Sequence, residues 1–131
     1  MNRSELRSVL YVDDEPDIRE VVEMSLTLQE GLTVHTIESG ERALEMLPEL
    51  KPDLVLLDVM MPGVDGPTTL GRMRAQPDLA HIPVIFMTAK AMPQEVARFK
   101  ELGAVAVIAK PFDPMQLASQ VFSIWESLGH G

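Results

Sequence analysis

Charged and hydroxyl side chains follow four of the short apolar runs in this sequence. Asp13 and Asp14 come after the first run, Asp58 after the third, Thr88 after the fourth and Lys110 after the fifth. Two carboxylates about 4 Å apart repel each other by roughly 4 kcal/mol at an effective dielectric constant near 20. Three acids at one place therefore need positive charge. The lysine supplies one unit of it, and a divalent cation would supply the remainder.

The same residue types indicate which cation and which reaction such a site would serve. Few carboxylate ligands with room for water suit Mg²⁺ better than Ca²⁺, which takes roughly six to eight oxygen ligands. Zinc is disfavoured because the sequence has no cysteine and no histidine near these positions. A carboxylate beside a divalent cation, a hydroxyl group and an ammonium group can accept a phosphoryl group, and Asp58 is the candidate nucleophile.

Each of these residues also has an ordinary structural explanation. Asp13 and Asp14 could cap the next helix, where its dipole favours acids, and Asp58 could begin a turn. Thr88 could cap another helix, and Lys110 could be a solvated surface charge. We favour a functional site because these independent explanations would all have to apply at the ends of different strands.

Apolar runs and helical stretches alternate along the chain and would position these residues. The apolar runs lie at 8–12, 33–37, 53–57, 83–87 and 105–109. Stretches with the spacing of amphipathic helices lie at 16–30, 41–50, 92–103 and 113–128. The alternation predicts an α/β fold, a doubly wound five-stranded parallel sheet whose ligand site lies at the carboxyl ends of the strands.

Local signals refine these elements. The last three apolar runs have no polar face, which predicts parallel strands that helices cover on both sides. Gly103 suits the left-handed position after a helix. Asp113, Pro114 and Gln116 have the order of an N-cap, a first helical residue and a third helical residue, so the last helix is predicted to begin there.

Composition limits the classes of protein to consider. The chain has 131 residues and a net charge of −9, from 20 acidic and 11 basic residues. It is long enough for one domain, predicted to span 1–131, and an acidic domain is a poor direct partner for nucleic acid. The sequence shows no signal peptide and no apolar stretch that could span a membrane, so a cytoplasmic location is expected.

Four stretches together resemble the receiver domains of two-component response regulators, over roughly residues 7–127. These stretches are "YVDDEPDIREVVEMSL", "PDLVLLDVMMPGVDG", "IPVIFMTAKA" and "GAVAVIAKPFDP". The resemblance implies a flavodoxin-like fold with the strand order 2-1-3-4-5.

The resemblance also implies roles in phosphorylation. Asp58 would accept a phosphoryl group from a histidine kinase or a histidine phosphotransfer protein. Thr88 would donate a hydrogen bond to one phosphoryl oxygen, and Lys110 would pair with another. The Lys110–Pro111 peptide would be cis. The domain would catalyse its own phosphorylation and dephosphorylation and would signal to a downstream target protein by a change of conformation.

A Mg²⁺ site accompanies these roles in the family. The resemblance implies that Asp14 and Asp58 bind the ion directly, together with the backbone carbonyl of Met60. Asp13 would lie close to the ion and act through water.

Two features bear on the conformational change and on partners. Val107 stands three residues before Lys110, where the family often has an aromatic residue that moves on activation, so the size of the change is open. On the last helix, one apolar stripe faces the core, and a second stripe either widens that core face or forms an exposed patch for a homodimer through the last two helices. The first stripe is Leu117, Val121, Ile124 and Leu128, and the second is Ala118, Phe122 and Trp125.

Three alternatives use a similar sheet. A magnesium-dependent aspartyl phosphatase of the haloacid-dehalogenase type has a second acid two residues after its nucleophile, where this chain has Met60. A flavodoxin-like FMN protein needs a phosphate-binding loop after the first strand, and the acidic "DDEPD" at 13–17 would repel phosphate. A receiver-like docking module that is never phosphorylated remains open.

Overall fold

Strands and helices alternate strictly along residues 5–128, the part of the chain that the computed structural model describes. The strands are β1 Ser8–Val12, β2 Thr33–Ile37, β3 Leu54–Asp58, β4 Val84–Thr88 and β5 Ala106–Ala109. The helices are α1 Pro16–Thr27, α2 Gly40–Leu50, α3 Gly66–Arg74, α4 Pro93–Glu101 and α5 Leu117–Ser127. The ends of the predicted domain, 1–4 and 129–131, lie outside the described residues, so its extent over 1–131 stays a prediction.

The five strands form one parallel sheet in the order β2-β1-β3-β4-β5. The doubly wound α/β fold and the strand order are therefore confirmed. The chain leaves β1 towards β2 and then crosses back to β3, so the strand order reverses between β1 and β3. Val12 lies opposite Leu57 in the register of these two strands. The residues that follow, Asp13 and Asp58, therefore reach the carboxyl-end edge of the sheet side by side, where ligands bind in such folds.

Helices cover both faces of the sheet, and each face has its own apolar core. α2, α3 and α4 pack on one face, and α1 and α5 pack on the other. Because successive side chains of a strand point to opposite faces, Leu10 lies in the first core and Tyr11 in the second. β3 and β4 are buried along their whole length, as predicted. β5 is also parallel and packs against both cores, as predicted, but it is an edge strand and leaves Val107 half-buried and Ala109 exposed.

Several boundaries differ from those predicted from the apolar runs. β3 and β4 each lie one residue later, because Asp58 stays paired with Met87 and Thr88 with Ala109 in the ladders. α1 ends at Thr27 rather than at residue 30. Gly103 follows α4 with a positive φ of 117°, so the glycine after that helix is confirmed. Both β3 and β4 thus end in a polar residue.

The start of the last helix was predicted wrongly. α5 begins at Leu117, after Gln116, and not at Asp113. The Asp113 carboxylate accepts a hydrogen bond from the backbone N–H of Met115 at 2.9 Å, and its carbonyl accepts one from Gln116 at 2.9 Å. These bonds close a separate turn before the helix, because an aspartate can cap a turn as well as a helix.

α3 was not found from apolar spacing. Its N-cap Asp65 accepts a hydrogen bond from the backbone N–H of Thr68 at 2.8 Å, and Pro67 stands in its first turn. Two of its nine residues are glycines, and only four are buried. Capping, rather than an apolar stripe, is the local signal that marks this helix.

Both stripes of α5 contribute to the core that α1 also covers. Ala118 and Trp125 are buried, and Phe122 packs half-buried against the same cluster. The second stripe therefore widens the core face, and its interpretation as an exposed aromatic patch was wrong. A homodimer through α4 and α5 stays a prediction. Within residues 5–128, every helix is too short or too polar to cross a bilayer.

Candidate functional site

Three acidic side chains meet at the carboxyl-end edge of β1 and β3. Asp13 is fully buried, Asp58 is 5% exposed, and Asp14 is half-buried. One carboxylate oxygen from each lies within 4.8 Å of the others. The strand order creates this cluster, because it places the ends of β1 and β3 next to each other although Asp13 and Asp58 are far apart in the sequence.

Lys110, which follows β5, connects two of the three acids. Its Nζ donates hydrogen bonds to Asp13 Oδ2 at 3.0 Å and to Asp58 Oδ1 at 2.9 Å. The backbone N–H of Lys110 bonds to the carbonyl of Thr88 at 2.8 Å, which fixes the start of this side chain against β4. The Lys110–Pro111 peptide is cis, as expected. The Lys110 side chain is 17% exposed, and its two bonds hold the ammonium group between two carboxylates.

Two residues that the sequence did not single out also bind Asp13. The Tyr11 hydroxyl donates a hydrogen bond to Asp13 Oδ2. The guanidinium of Arg19, on α1, donates one to the Asp13 carbonyl at 2.7 Å. Tyr11 could have been noticed, since residues two apart in a strand lie on the same face. Nothing local distinguishes Arg19 from the other charged residues of its helix.

Burial and the neighbouring charges alter the acidity of this site. Burial raises the pKa of Asp58, and the nearby Asp13 raises it further, while the hydrogen bond from Lys110 opposes both effects. Burial alone would lower the pKa of Lys110, but its bonds to Asp58 and Asp13 outweigh that effect and raise it. Burial and the bond to Asp13 also raise the pKa of the Tyr11 hydroxyl. The lysine and the tyrosine therefore both remain hydrogen-bond donors at neutral pH.

Thr88 and Met60 border the acids without bonding to them. Thr88 ends β4, is buried, and accepts a hydrogen bond at its hydroxyl from the backbone N–H of Lys90 at 3.0 Å. Met60 lies in the loop after β3 and is 68% exposed. Within residues 5–128 its carbonyl accepts no hydrogen bond. The sites that the sequence predicted for a phosphoryl oxygen and for a metal ion are thus at this edge, and their roles stay predictions.

A glycine allows α3 to start against the end of β3. A Cβ on Gly66 would lie 2.6 Å from the carbonyl oxygen of Asp58 and 2.9 Å from Val59 Cα. Both are backbone atoms that could not move aside, so a side chain here would displace the loop that carries Met60. This glycine fixes the shape of the loop beside the acids.

The donor set fits a magnesium ion. Three ionised carboxylates and one ammonium group leave two negative charges without a partner, which matches a divalent cation. All available donors are oxygen atoms, which small hard cations prefer. The Asp14 carboxylate accepts no hydrogen bond in the described part of the chain, so its oxygens are free to bind an ion.

The fold and this edge define a receiver-type signalling domain, and the similarity to known proteins agrees. Residues 9–122 match the response regulator receiver domain family. The chain belongs to that family.

The curated relatives are longer than this chain. It is 39% identical over 114 residues to a probable cyclic di-GMP phosphodiesterase of Vibrio cholerae, covering 87% of this chain and 25% of that protein. It is 35% identical to the transcriptional regulatory protein CseB of Streptomyces avermitilis, covering 97% of this chain and 52% of that protein. The chain thus spans between a quarter and about half the length of these relatives.

Solved receiver structures share the fold over nearly their whole length. The chemotaxis protein CheY4 of Vibrio cholerae matches with a TM-score of 0.83 and 28% identity, covering 92% of this chain and 99% of that one. A response regulator from Chloroflexus aurantiacus matches with a TM-score of 0.82 and 33% identity, covering 93% and 99%. These similarities support the receiver domain assignment and do not favour the phosphatase or FMN-binding alternatives.

Proposed function

We propose that Asp58 accepts a phosphoryl group, and that the domain itself promotes both this transfer and the later hydrolysis of the aspartyl phosphate. The observation that carries the proposal is the position of Lys110, whose Nζ joins Asp58 to Asp13 within hydrogen-bond distance. A positive charge held against the candidate nucleophile is placed where negative charge gathers on a transferring phosphoryl group.

The donor that we propose is a phosphohistidine on a histidine kinase or a phosphotransfer protein. An Asp58 oxygen attacks the phosphorus atom and forms an acyl phosphate. The phosphorus–nitrogen bond breaks, and the imidazole leaves with its electron pair and takes up a proton. Lys110 pairs with one phosphoryl oxygen, and the Thr88 hydroxyl turns from Lys90 to donate to another.

A Mg²⁺ ion completes the proposed site. Asp14, Asp58 and the Met60 carbonyl would hold it, and Asp13 would act through water. When bound, the ion neutralises negative charge on the phosphoryl oxygens. It also offsets the repulsion among the three carboxylates, which lie within 4.8 Å of one another.

The partner would reach Asp58 from the carboxyl-end edge. An apolar groove of about 400 Å³ lies there beside Lys110, between α1 and the segment after β5. Ile18, Val21, Phe112 and Pro114 are among the residues that line it. We propose that the histidine-bearing partner packs against this groove. A cytoplasmic location is part of the proposal, because relatives named as transcriptional regulators act where the DNA is.

Phosphorylation would cause only part of the conformational change that is usual in the family, in which an aromatic residue near the lysine also moves. Phosphorylation replaces the single negative charge of the Asp58 carboxylate with a group that carries about −1.5 to −2 charge units at neutral pH. The extra charge would draw Thr88 and the segment before α4 inward. Val107 on β5 is half-buried and has no ring to move with them. We propose that the altered start of α4 is the surface that a downstream protein reads.

The test is the intact mass of the protein after incubation with acetyl phosphate and Mg²⁺. The wild type gains one phosphoryl unit, and Asp58→Asn and a magnesium-free sample gain none. Asp17→Asn, an exposed acid of α1, is the matched control and retains the gain. If the wild type stays unmodified where a known receiver is modified, the chain is a docking module instead. A gain in Asp58→Asn would place the acceptor elsewhere.

A further inference from the structure

Tyr11 is an unusual neighbour for an acidic site because its ring belongs to the core. The side chain is fully buried in the cluster between the sheet and helices α1 and α5. Only its hydroxyl leaves that apolar environment, and it donates to Asp13 Oδ2. The ring is therefore held by packing, and the position of the hydroxyl is fixed by the core rather than by the site.

Asp13 has most of its acceptor positions in use. An ionised carboxylate offers about four lone-pair positions. Oδ2 accepts from Tyr11 and from Lys110, and Oδ1 accepts from the backbone N–H of Glu15 at 3.0 Å. The Asp14 carboxylate, by contrast, has no hydrogen-bond donor among residues 5–128. The two adjacent acids thus differ in how many oxygens they can offer to an ion.

We propose that Tyr11 is a positioning residue whose hydroxyl makes Asp13 share Lys110 with Asp58. Because the Tyr11 hydroxyl also donates to Oδ2, Lys110 is not the only donor that stabilises this oxygen of Asp13. Its Nζ can therefore keep its hydrogen bond to Asp58 as well. The inference rests on the proposed roles of Asp58 and the Mg²⁺ site, which it extends to a residue in the core.

Removing the hydroxyl changes the balance between the two acids. Without Tyr11's bond, the buried Asp13 has one donor fewer and draws Lys110 towards itself, because unpaired buried carboxylates are costly. Asp58 then loses part of its positive neighbour. Metal binding should strengthen, since the carboxylates keep more negative charge for the ion. Phosphoryl transfer should slow, since Lys110 no longer faces the acceptor.

The test compares Tyr11→Phe with the wild type in two measurements. Mg²⁺ affinity is measured by titrating backbone amide chemical shifts, with no phosphoryl donor present. The phosphorylation rate is measured with acetyl phosphate at saturating Mg²⁺. We expect the variant to bind Mg²⁺ roughly threefold to tenfold more tightly and to phosphorylate slower by a similar factor, the effect of about one hydrogen bond.

A second measurement keeps Tyr11 and does not require the Tyr11→Phe variant. Tyr11 is the only tyrosine in the chain, so ¹³Cζ-labelled tyrosine gives a single resonance from this hydroxyl. In magnesium-free protein, Asp13→Asn should shift this resonance, because an amide oxygen is a weaker acceptor than a carboxylate. An unchanged resonance would overturn the proposal.

Ile85→Val is the matched control, since it removes one methylene from the same buried cluster without touching the acids. Tighter metal binding together with slower transfer, in Tyr11→Phe but not in Ile85→Val, supports the proposal. Unchanged values, or changes that both variants share, overturn it. If the wild type itself neither binds Mg²⁺ nor takes up a phosphoryl group, it is the proposed function that fails.

Discussion

Charged side chains are held in different ways at the two edges of the sheet. At the amino-end edge, the guanidinium of Arg74 donates to three backbone carbonyls, those of Ala80 at 3.2 Å, Ile82 at 2.8 Å and Gly103 at 3.0 Å. It joins the loops that precede β4 and β5 to the end of α3. Burial lowers the pKa of Arg74, and the three carbonyls compensate for the water that it loses.

Asp53 is held in the same way at that edge. Its Oδ2 accepts from the backbone N–H groups of Arg7 at 2.9 Å and Ser8 at 3.1 Å, and so ties β3 to β1. At the carboxyl-end edge, Lys110 instead binds two carboxylates, those of Asp13 and Asp58. Charges that bind the backbone stabilise the fold, whereas a cluster of charges with an excess of one sign keeps affinity for a ligand.

The largest expected effect on stability comes from the amino-end edge. Arg74→Ala leaves three carbonyls without their charged donor, and we expect the free energy of unfolding to fall by about 3 kcal/mol. Urea denaturation measures this loss. Arg72→Ala, on the same helix and exposed, is the matched control and should change stability by less than about 0.5 kcal/mol. Equal losses in both variants would mean that water replaces the Arg74 bonds and that the comparison of the edges is wrong.

The carboxyl-end edge should respond in the opposite direction. Without metal, Asp14→Asn removes a repelling charge and should raise the free energy of unfolding by about 1 to 2 kcal/mol. The wild type should gain about 2.7 kcal/mol when Mg²⁺ is a hundredfold above its dissociation constant, and the variant should lose most of that gain. Thermal unfolding with and without MgCl₂ measures both effects. Asp17→Asn should behave as the wild type, and a destabilised Asp14→Asn would show that this acid is structural.

The smallest effect concerns an acid that lies at the carboxyl-end edge but binds the backbone. Asp65→Ala removes the N-cap of α3 and should lower the free energy of unfolding by about 1 kcal/mol at neutral pH. Hydrogen bonds from the side chain and the backbone N–H of Thr68 lower the pKa of Asp65 below its usual 3.8. Its contribution is therefore complete above that value and is lost as the pH falls through the lowered pKa.

Urea denaturation between pH 7 and pH 3 measures this dependence. Ser39→Ala is the control, because Ser39 caps α2 with a neutral hydroxyl that accepts a hydrogen bond from the backbone N–H of Arg42 at 3.1 Å. Its cost should not change with pH over this range. If the loss in free energy of unfolding caused by Asp65→Ala is also independent of pH, the Asp65 carboxylate is not stabilised by hydrogen bonds from the backbone.

Much of the fold could be predicted from the sequence because its signals are local. Five apolar runs gave all five strands to within one residue at either end, since a buried strand needs consecutive apolar side chains. The polar residues after those runs also identified the three acids and Lys110. The start of α5 was missed because Asp113 carries the same signal for a turn as for a helix. α3 was missed because its residues lack an apolar stripe.

Contacts between elements that are distant in the sequence could not be predicted in this way. Trp125 and Phe122 have the spacing of a stripe that could face solvent or core, and only the packing of α5 against the sheet shows that they join the core. The apolar run of β5 predicts a strand with helices on both sides, but the position of β5 at the edge of the sheet leaves it partly exposed. The burial of these side chains depends on residues from distant parts of the sequence, which a local pattern does not include.

The sequence by itself determined which elements form and which of them end in a charged or hydroxyl side chain. Periodicity and turn chemistry act over a few residues, so they can be recognised in the chain alone. Only the tertiary structure decided that Lys110 joins Asp13, 97 positions away, to Asp58, and that the Tyr11 hydroxyl reaches the same carboxylate. Hydrogen bonds need atoms within about 3 Å, and that closeness arises from strand order and packing once the sheet has formed.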